Sequence, residues 1–116
     1  MPKSTLLIIV FTVIILTAIA TVFLNSGRPG VVSKNEIDTA INQAKHLYRQ
    51  EKASGKELSN GPCLSDALMP GWVVDIAHSP RLPIDDLPEN QCPAYREGRA
   101  QHFVELDPDG NLIRAR

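Results

Sequence analysis

The feature that most constrains this chain is an uninterrupted apolar run, LLIIVFTVIILTAIATVFL, at residues 6–24. The run carries no charge, and its only polar side chains are threonines. At about 1.5 Å of rise per residue, a helix of this length spans roughly 28 Å, close to the thickness of the hydrocarbon core of a bilayer. A single segment satisfies its backbone hydrogen bonds in lipid only as a helix. The run therefore predicts a transmembrane helix.

The residues after the run are too few to wrap a core helix that is apolar on all sides, so burial within the protein is the weaker alternative. Ala18-Ile19-Ala20 fits the small-x-small pattern of signal-peptide cleavage, behind a positive start at Lys3. Because the apolar run continues beyond Ala20, we expect an uncleaved anchor, with secretion after cleavage near Ala20 as the alternative. The expected segments are an N-terminal tail at 1–5, a transmembrane helix at 6–24, a juxtamembrane linker at 25–32 and a small extracytoplasmic domain at 33–116.

The basic residues on the two sides of the run do not by themselves settle its orientation. Lys3 lies on one side, whereas Arg28 and Lys34 lie close to the other. A short positive segment before an apolar run usually stays in the cytoplasm. This reading predicts a single-pass protein in the cell membrane, in contact with the bilayer through residues 6–24, whose C-terminal domain lies outside the cytoplasm.

Both cysteines of the chain, Cys63 and Cys92, follow the apolar run. Neither belongs to a CxxC motif, and the histidines are scattered, so a zinc site is disfavoured. Small exported domains with thin cores often contain a disulfide. A loop of about 30 residues closed by such a bond would destabilise the unfolded chain by roughly 3.5 kcal/mol. We expect a Cys63–Cys92 disulfide in an oxidising compartment, with free buried thiols or a reactive thiol as alternatives.

The clearest local signal is a helix from Lys34 to about Ser54. Ser33 and Glu36 have the spacing of a capping box, and Gly55 is placed to end the helix. Apolar residues recur with helical periodicity along one face. These residues are Ile37, Ala40, Ile41, Ala44, Leu47 and Tyr48. The narrow, alanine-rich face suits close packing on a small sheet.

The rest of the chain predicts a sheet with irregular connections. We expect a loop over residues 56–71 with a helical turn near 65–69, a strand over 72–77, and an irregular segment over 79–93 that contains four prolines. The residues Asp107-Pro108-Asp109-Gly110 predict a turn between strands at 102–106 and 112–114. This stretch also resembles part of a calcium loop, but it lacks the bidentate glutamate.

Together these elements predict the α+β class: a transmembrane helix, then one amphipathic helix on a small antiparallel sheet with a C-terminal hairpin and one disulfide. Three groups of residues are candidates for function. Asp75, His78 and His102 could hold a metal or act as acid and base, although strand ends often carry such residues only as solvated caps.

Arg114 and Arg116, free at the end of the chain, form a candidate interaction surface together with Trp72, the only tryptophan. A core role for Trp72 is the alternative. The remaining charges of this region, including Asp85 and Asp86, are expected to pair with one another across the surface. The net charge of −1 and the absence of a basic stripe give no reason to expect a nucleic-acid partner. No cofactor motif is recognised.

In outline, an apolar N-terminal helix, an amphipathic helix and a small disulfide-closed sheet resemble a type IV pilin or pseudopilin. The resemblance is one of architecture. At the nearest match to the processing motif, Val10 stands where those proteins have glycine or alanine, and Ile15 where they have glutamate. The resemblance implies assembly into a filament through the membrane helix, where Thr17-x-x-x-Thr21 offers small residues for packing.

The function that the sequence favours is a membrane-anchored, extracytoplasmic interaction domain without catalytic activity. Its partner would be another envelope protein or a second copy of the chain. A pilin-like filament subunit and a small metal-dependent hydrolase, built on Asp75, His78 and His102, are the two alternatives.

Overall fold

The structure is a computed structural model, and it describes residues 2–25 and 31–116, without the side chains of residues 23–25. Most of the linker expected at 25–32 lies outside the described residues. The chain divides into two compact units between Val31 and Val32.

Within residues 2–25, the first unit forms one helix, α1, at Lys3–Asn25. It begins three residues before the apolar run of residues 6–24. The segment Lys3–Val22 is long and apolar enough to cross a membrane, and none of it is buried within the protein. By length and composition, the described part of the chain therefore has one candidate membrane span.

The second unit consists of two helices and a four-stranded sheet in the order β1-β2-β3-β4. Its elements are α2 (Lys34–Ala53), β1 (Cys63–Met69), β2 (Trp72–Ile76), α3 (Pro93–Arg96), β3 (His102–Leu106) and β4 (Leu112–Ala115). The outer pairs β1–β2 and β3–β4 are antiparallel, whereas the central pair β2–β3 is parallel. The α+β class is confirmed.

The sheet differs from the expected antiparallel one because of the segment at 77–101. A parallel pair requires a crossover long enough to return the chain to the end at which the first strand began. Residues 77–101 provide this crossover with two 3₁₀ turns, at Pro83–Asp86 and Pro88–Asn90, and the short helix α3. We call residues 77–101 the crossover segment.

Helix α2 docks on the sheet through a contact that the sequence did not predict. Ser33 caps the helix as expected, because its Oγ accepts a hydrogen bond from the Glu36 N–H at 3.2 Å. The Glu36 carboxylate, however, accepts a hydrogen bond from the indole Nε1 of Trp72 at 2.9 Å. A buried indole N–H needs an acceptor, so Glu36 bonds to the sheet and only half of the capping box forms.

The main core lies between α2 and one face of the sheet. Ala40, Ala44 and Tyr48 are the buried residues of the helix, and the small side chains of the two alanines let its backbone approach the strands. The strand residues of this core are Leu64, Trp72, Val74, Ile76, Val104 and Leu106. All six apolar positions predicted for the helix face belong to this cluster or pack against it, which confirms the predicted amphipathic helix.

The prediction of a helical turn near residues 65–69 is wrong, because the strand β1 occupies Cys63–Met69. Register irregularities separate its paired positions Cys63, Ser65 and Met69. Such bulges change which face a side chain points to, so the strand lacks the alternation by which strands are recognised in a sequence.

The turn between β3 and β4 has the form that the sequence predicts. The Gly110 N–H donates to the carbonyl of Asp107 at 2.9 Å, and Gly110 has a φ of 88°. The Asp107 carboxylate accepts hydrogen bonds from the backbone N–H groups of Asp109 and Asn111 at 2.9 and 2.8 Å. The residues that resemble a calcium loop therefore stabilise their own turn.

We expect Gly110→Ala to destabilise the second unit by about 2–4 kcal/mol, because it combines backbone strain with a steric overlap. An added Cβ would overlap the ring of Tyr48, whose hydroxyl donates to the carbonyl of Pro108 at 2.7 Å. Urea unfolding monitored by Trp72 fluorescence measures the loss. Gly98→Ala is the matched control, since Gly98 has a φ of 76° but nothing within 4 Å of an added Cβ. Equal losses in the two variants would contradict the proposed packing.

Candidate functional site

The face of the sheet opposite α2 carries a different set of side chains. Val73 and Asp75 of β2 lie there beside Phe103 and Glu105 of β3. The crossover segment covers part of this face, and a second, smaller core forms beneath it. Its buried residues are Val73, Cys92, Ala94, Ala100 and Phe103.

A disulfide between Cys63 and Cys92 joins the crossover segment to β1, which confirms the predicted bond. The two Cα atoms are 5.0 Å apart, and the residues are 29 positions apart in the chain. Among residues 2–25 and 31–116, the one group of three potential metal ligands is Cys63, Asp66 and Cys92. Its two sulfur atoms are bonded to each other, and metal ligation by cysteine requires a thiolate.

Asp85 holds the first part of the crossover segment in place. Its side chain is 1% exposed and accepts hydrogen bonds from the backbone N–H groups of Leu82 at 2.8 Å and His78 at 3.0 Å. The His78 Nδ1 lies 2.9 Å from its second oxygen. Burial opposes ionisation of Asp85, but these hydrogen bonds more than compensate, so its pKa lies below the usual value. Asp85 is therefore a buried residue that holds the crossover segment in place. The prediction that it pairs with other charged residues at the surface is wrong.

The structure does not bring Asp75, His78 and His102 together. In the parallel β2–β3 pair, His102 lies beside Trp72 at one end, whereas His78 follows β2 beyond the other end. The His102 ring is 5.0 Å from the Trp72 ring on the α2 face, opposite to Asp75. The predicted metal or acid–base cluster thus fails because the two strands run in the same direction.

An open cavity of about 440 Å³ lies on the sheet face opposite α2, between the strands and the crossover segment. We call it the sheet groove. Its lining residues are Val73, Asp75, Arg81, Gln91, Cys92, Tyr95, Arg96, Phe103, Glu105, Arg114 and Arg116. This volume lies within the range of about 300–1,000 Å³ that is typical of ligand pockets.

Two neighbouring carboxyl groups, those of Asp75 and Glu105, lie on the base of the sheet groove as direct partners in the β2–β3 ladder. Glu105 is 7% exposed, and its oxygens lie 3.3 Å from the Nη1 of Arg81 and 3.4 Å from the Nε of Arg114. The Oδ1 of Asp75 is buried and has no hydrogen-bond partner within the described ranges. Two guanidinium groups therefore contact Glu105, whereas no hydrogen-bonding group of the described residues reaches the Asp75 Oδ1.

Burial raises the pKa of Asp75 to about 8, the neighbouring Glu105 carboxylate adds to the effect, and the Arg81 guanidinium opposes it. At pH 7 most molecules therefore carry Asp75 as a neutral carboxyl group. The sequence singled out Asp75 but paired it with the wrong residues. The relevant neighbour, Glu105, could be identified only from the parallel register.

Aromatic rings and guanidinium groups form the other side of the groove. Phe103 packs edge to face against Tyr95, with ring centroids 5.1 Å apart. The guanidinium carbons of Arg114 and Arg116 each lie 5.4 Å from the Phe103 centroid, a distance at which cation–π attraction operates. Trp72, by contrast, is 1% exposed in the opposite core. The alternative prediction, that Trp72 is a core residue, is therefore correct. Trp72 does not contribute to an exposed interaction surface.

Comparison with protein families, curated proteins and solved structures finds no significant match to this chain. The groove is therefore interpreted from its own geometry and charge.

We expect the stability of the protein to fall as the pH rises from about 5 to about 8, because the folded state binds the proton of Asp75 more tightly than the unfolded chain. Each pKa unit corresponds to about 1.4 kcal/mol, so the loss is on the order of 3 kcal/mol. Glu105, Arg81 and Asp85 are the charged groups that act on this carboxyl.

Urea unfolding at both pH values measures this dependence. Asp75→Asn should remove most of it and stabilise the protein at pH 8, whereas Asp109→Asn, which changes an exposed carboxyl group, should retain it. An unchanged pH dependence in Asp75→Asn would show that this carboxyl does not titrate as described.

Proposed function

We propose that this chain is a membrane-anchored interaction domain that uses the sheet groove to contact another envelope protein, without catalytic activity. The observation that carries the proposal is the unused binding capacity of the groove. In the described part of the chain, Arg96 and Arg116 form no ion pair, and the buried Asp75 Oδ1 has no hydrogen-bond partner. Exposed guanidinium groups without a carboxylate can bind an anionic group of another protein, and a buried polar oxygen is normally satisfied by protein, water or a ligand.

Three features support a location outside the cytoplasm. The length and apolar character of α1 suit a bilayer span. A disulfide persists in oxidising compartments and is rare in the cytosol. Lys3 precedes the span, and a short basic segment there favours a cytoplasmic N-terminus. We propose an uncleaved anchor because the apolar run continues to Leu24; cleavage near Ala20 would release the same domain as a secreted protein.

Acid–base catalysis is a second candidate, and one observation favours it. Asp75 has a raised pKa beside the carboxylate of Glu105, and a carboxyl group that is protonated near neutral pH can act as a general acid. Glu105, however, contacts two guanidinium groups, so its oxygens are already engaged within the protein. Turnover of chromogenic esters or glycosides that is lost in Asp75→Asn would favour a hydrolase over an interaction domain.

Filament assembly through α1 receives less support. The hydroxyl groups of Thr17 and Thr21, which could have bonded to a neighbouring helix, donate to carbonyls of their own helix. These donors are already satisfied and add little to helix association in lipid.

Photo-crosslinking in intact cells tests the interaction role. A benzophenone amino acid in place of Tyr95, which is 44% exposed at the groove, should give a discrete crosslinked product. The matched control has the same amino acid in place of Gln50, an exposed residue of α2. Products from position 95 alone agree with a groove interface. Absence of a product from position 95, or identical products from both positions, would contradict it.

A further inference from the structure

The charges around the sheet groove do not balance. Four guanidinium groups line it, against the two carboxyl groups of Asp75 and Glu105. Glu105 interacts with two of the guanidinium groups, those of Arg81 and Arg114. The other two, on Arg96 and Arg116, are exposed and have no carboxylate partner among the described residues. At neutral pH Asp75 contributes little negative charge, so the groove is positive overall.

The positive charge lies next to an apolar surface. Val73 and Phe103 are buried at the base of the groove, and the more exposed Tyr95 packs edge to face on Phe103. Arg116 lies over the same phenylalanine ring. A ligand that fills this space must therefore combine a negative group with an apolar group a short distance away.

The base of the groove also offers a hydrogen-bonding group that has no partner. The Asp75 Oδ1 is buried without a partner, and leaving such an atom unsatisfied costs about 1–3 kcal/mol. A peptide supplies backbone N–H groups that can donate to this oxygen. The neutral Asp75 carboxyl group can donate from one oxygen and accept at the other, and a peptide backbone supplies both C=O acceptors and N–H donors. A phosphate group supplies only acceptors and an acyl chain supplies neither, so a peptide satisfies the base of the groove more completely.

Building on the proposed function, we propose that the sheet groove binds an acidic peptide segment of the partner protein. A carboxylate of the segment binds Arg96 and Arg116, an adjacent apolar side chain packs against Phe103 and Tyr95, and a backbone N–H donates to Asp75. Guanidinium groups suit this role because they bind carboxylates through paired, charge-assisted hydrogen bonds.

Peptide binding to the full-length protein tests this assignment. The protein is reconstituted in phosphatidylcholine nanodiscs, which carry no net charge. The probes are short fluorescent peptides that combine Glu with Phe, Leu or Gly, and a matched set with Gln in place of Glu. Fluorescence anisotropy gives the dissociation constants at about 50 mM and about 300 mM salt, because screening weakens exposed ion pairs.

We expect at least one Glu peptide that contains Phe or Leu to bind about tenfold or more tightly than its Gln counterpart, with the difference shrinking at the higher salt concentration. The double variant Arg96→Gln/Arg116→Gln should lose about tenfold in affinity for that peptide. Arg49→Gln, which removes an exposed arginine of α2, is the matched control and should bind as the wild type does. Thermal unfolding of all three proteins shows whether the substitutions preserve the fold.

The peptide assignment is overturned if no Glu peptide binds, if the Gln peptides bind equally well, or if Arg49→Gln weakens binding as much as the double variant. It is also overturned if phosphatidylglycerol nanodiscs abolish peptide binding, with lipid bound at Arg96 and Arg116 instead. A crosslink from position 95 that persists alongside any of these results would leave the interaction role intact and remove only the peptide ligand. Loss of both the crosslink and peptide binding would remove both.

Discussion

The disulfide between Cys63 and Cys92 is the constraint on which the rest of the second unit depends. It attaches the crossover segment to β1 and so fixes one wall of the sheet groove against the strands. Only a small core lies beneath this segment, and several of its residues are alanine or cysteine. Apolar burial there is therefore modest. By constraining the unfolded chain, the disulfide stabilises the folded state by about 3.5 kcal/mol for a loop of this length. That is a large contribution in a domain of this size.

The two faces of the sheet have different roles because adjacent residues of β2 and β3 point in opposite directions. Trp72, Val74 and Ile76 form the apolar core with α2, and the Trp72–Glu36 hydrogen bond fixes the helix in position. Asp75 and Glu105 point to the other face, where the parallel register places them side by side. The same register that fills the core therefore places two carboxyl groups, one unpartnered and one held by arginines, at the base of the groove.

Local sequence signals predicted the local structure well. Four predicted features are present: the apolar helix, the amphipathic α2, the disulfide and the β3–β4 turn. Each could be predicted because it depends on residues close in sequence or on the number of cysteines. Strand β1 was missed because its bulges remove the alternation, and the pairing of Asp75 with Glu105 was missed because strand direction depends on the path of the crossover segment. Asp85 was predicted to be a surface charge because its hydrogen-bond donors are the backbone N–H groups of His78 and Leu82. Every residue except proline has such a group, so the sequence does not indicate this contact.

Thiol labelling in intact cells tests most directly whether the Cys63–Cys92 bond holds this domain together outside the cytoplasm, as proposed. A maleimide that cannot cross membranes should label neither cysteine before reduction. After treatment of the same cells with a reductant that also cannot cross membranes, it should label both. Free thiols that react only after lysis, without any reductant, would show a reduced domain inside the cytoplasm and contradict both the bond and the location.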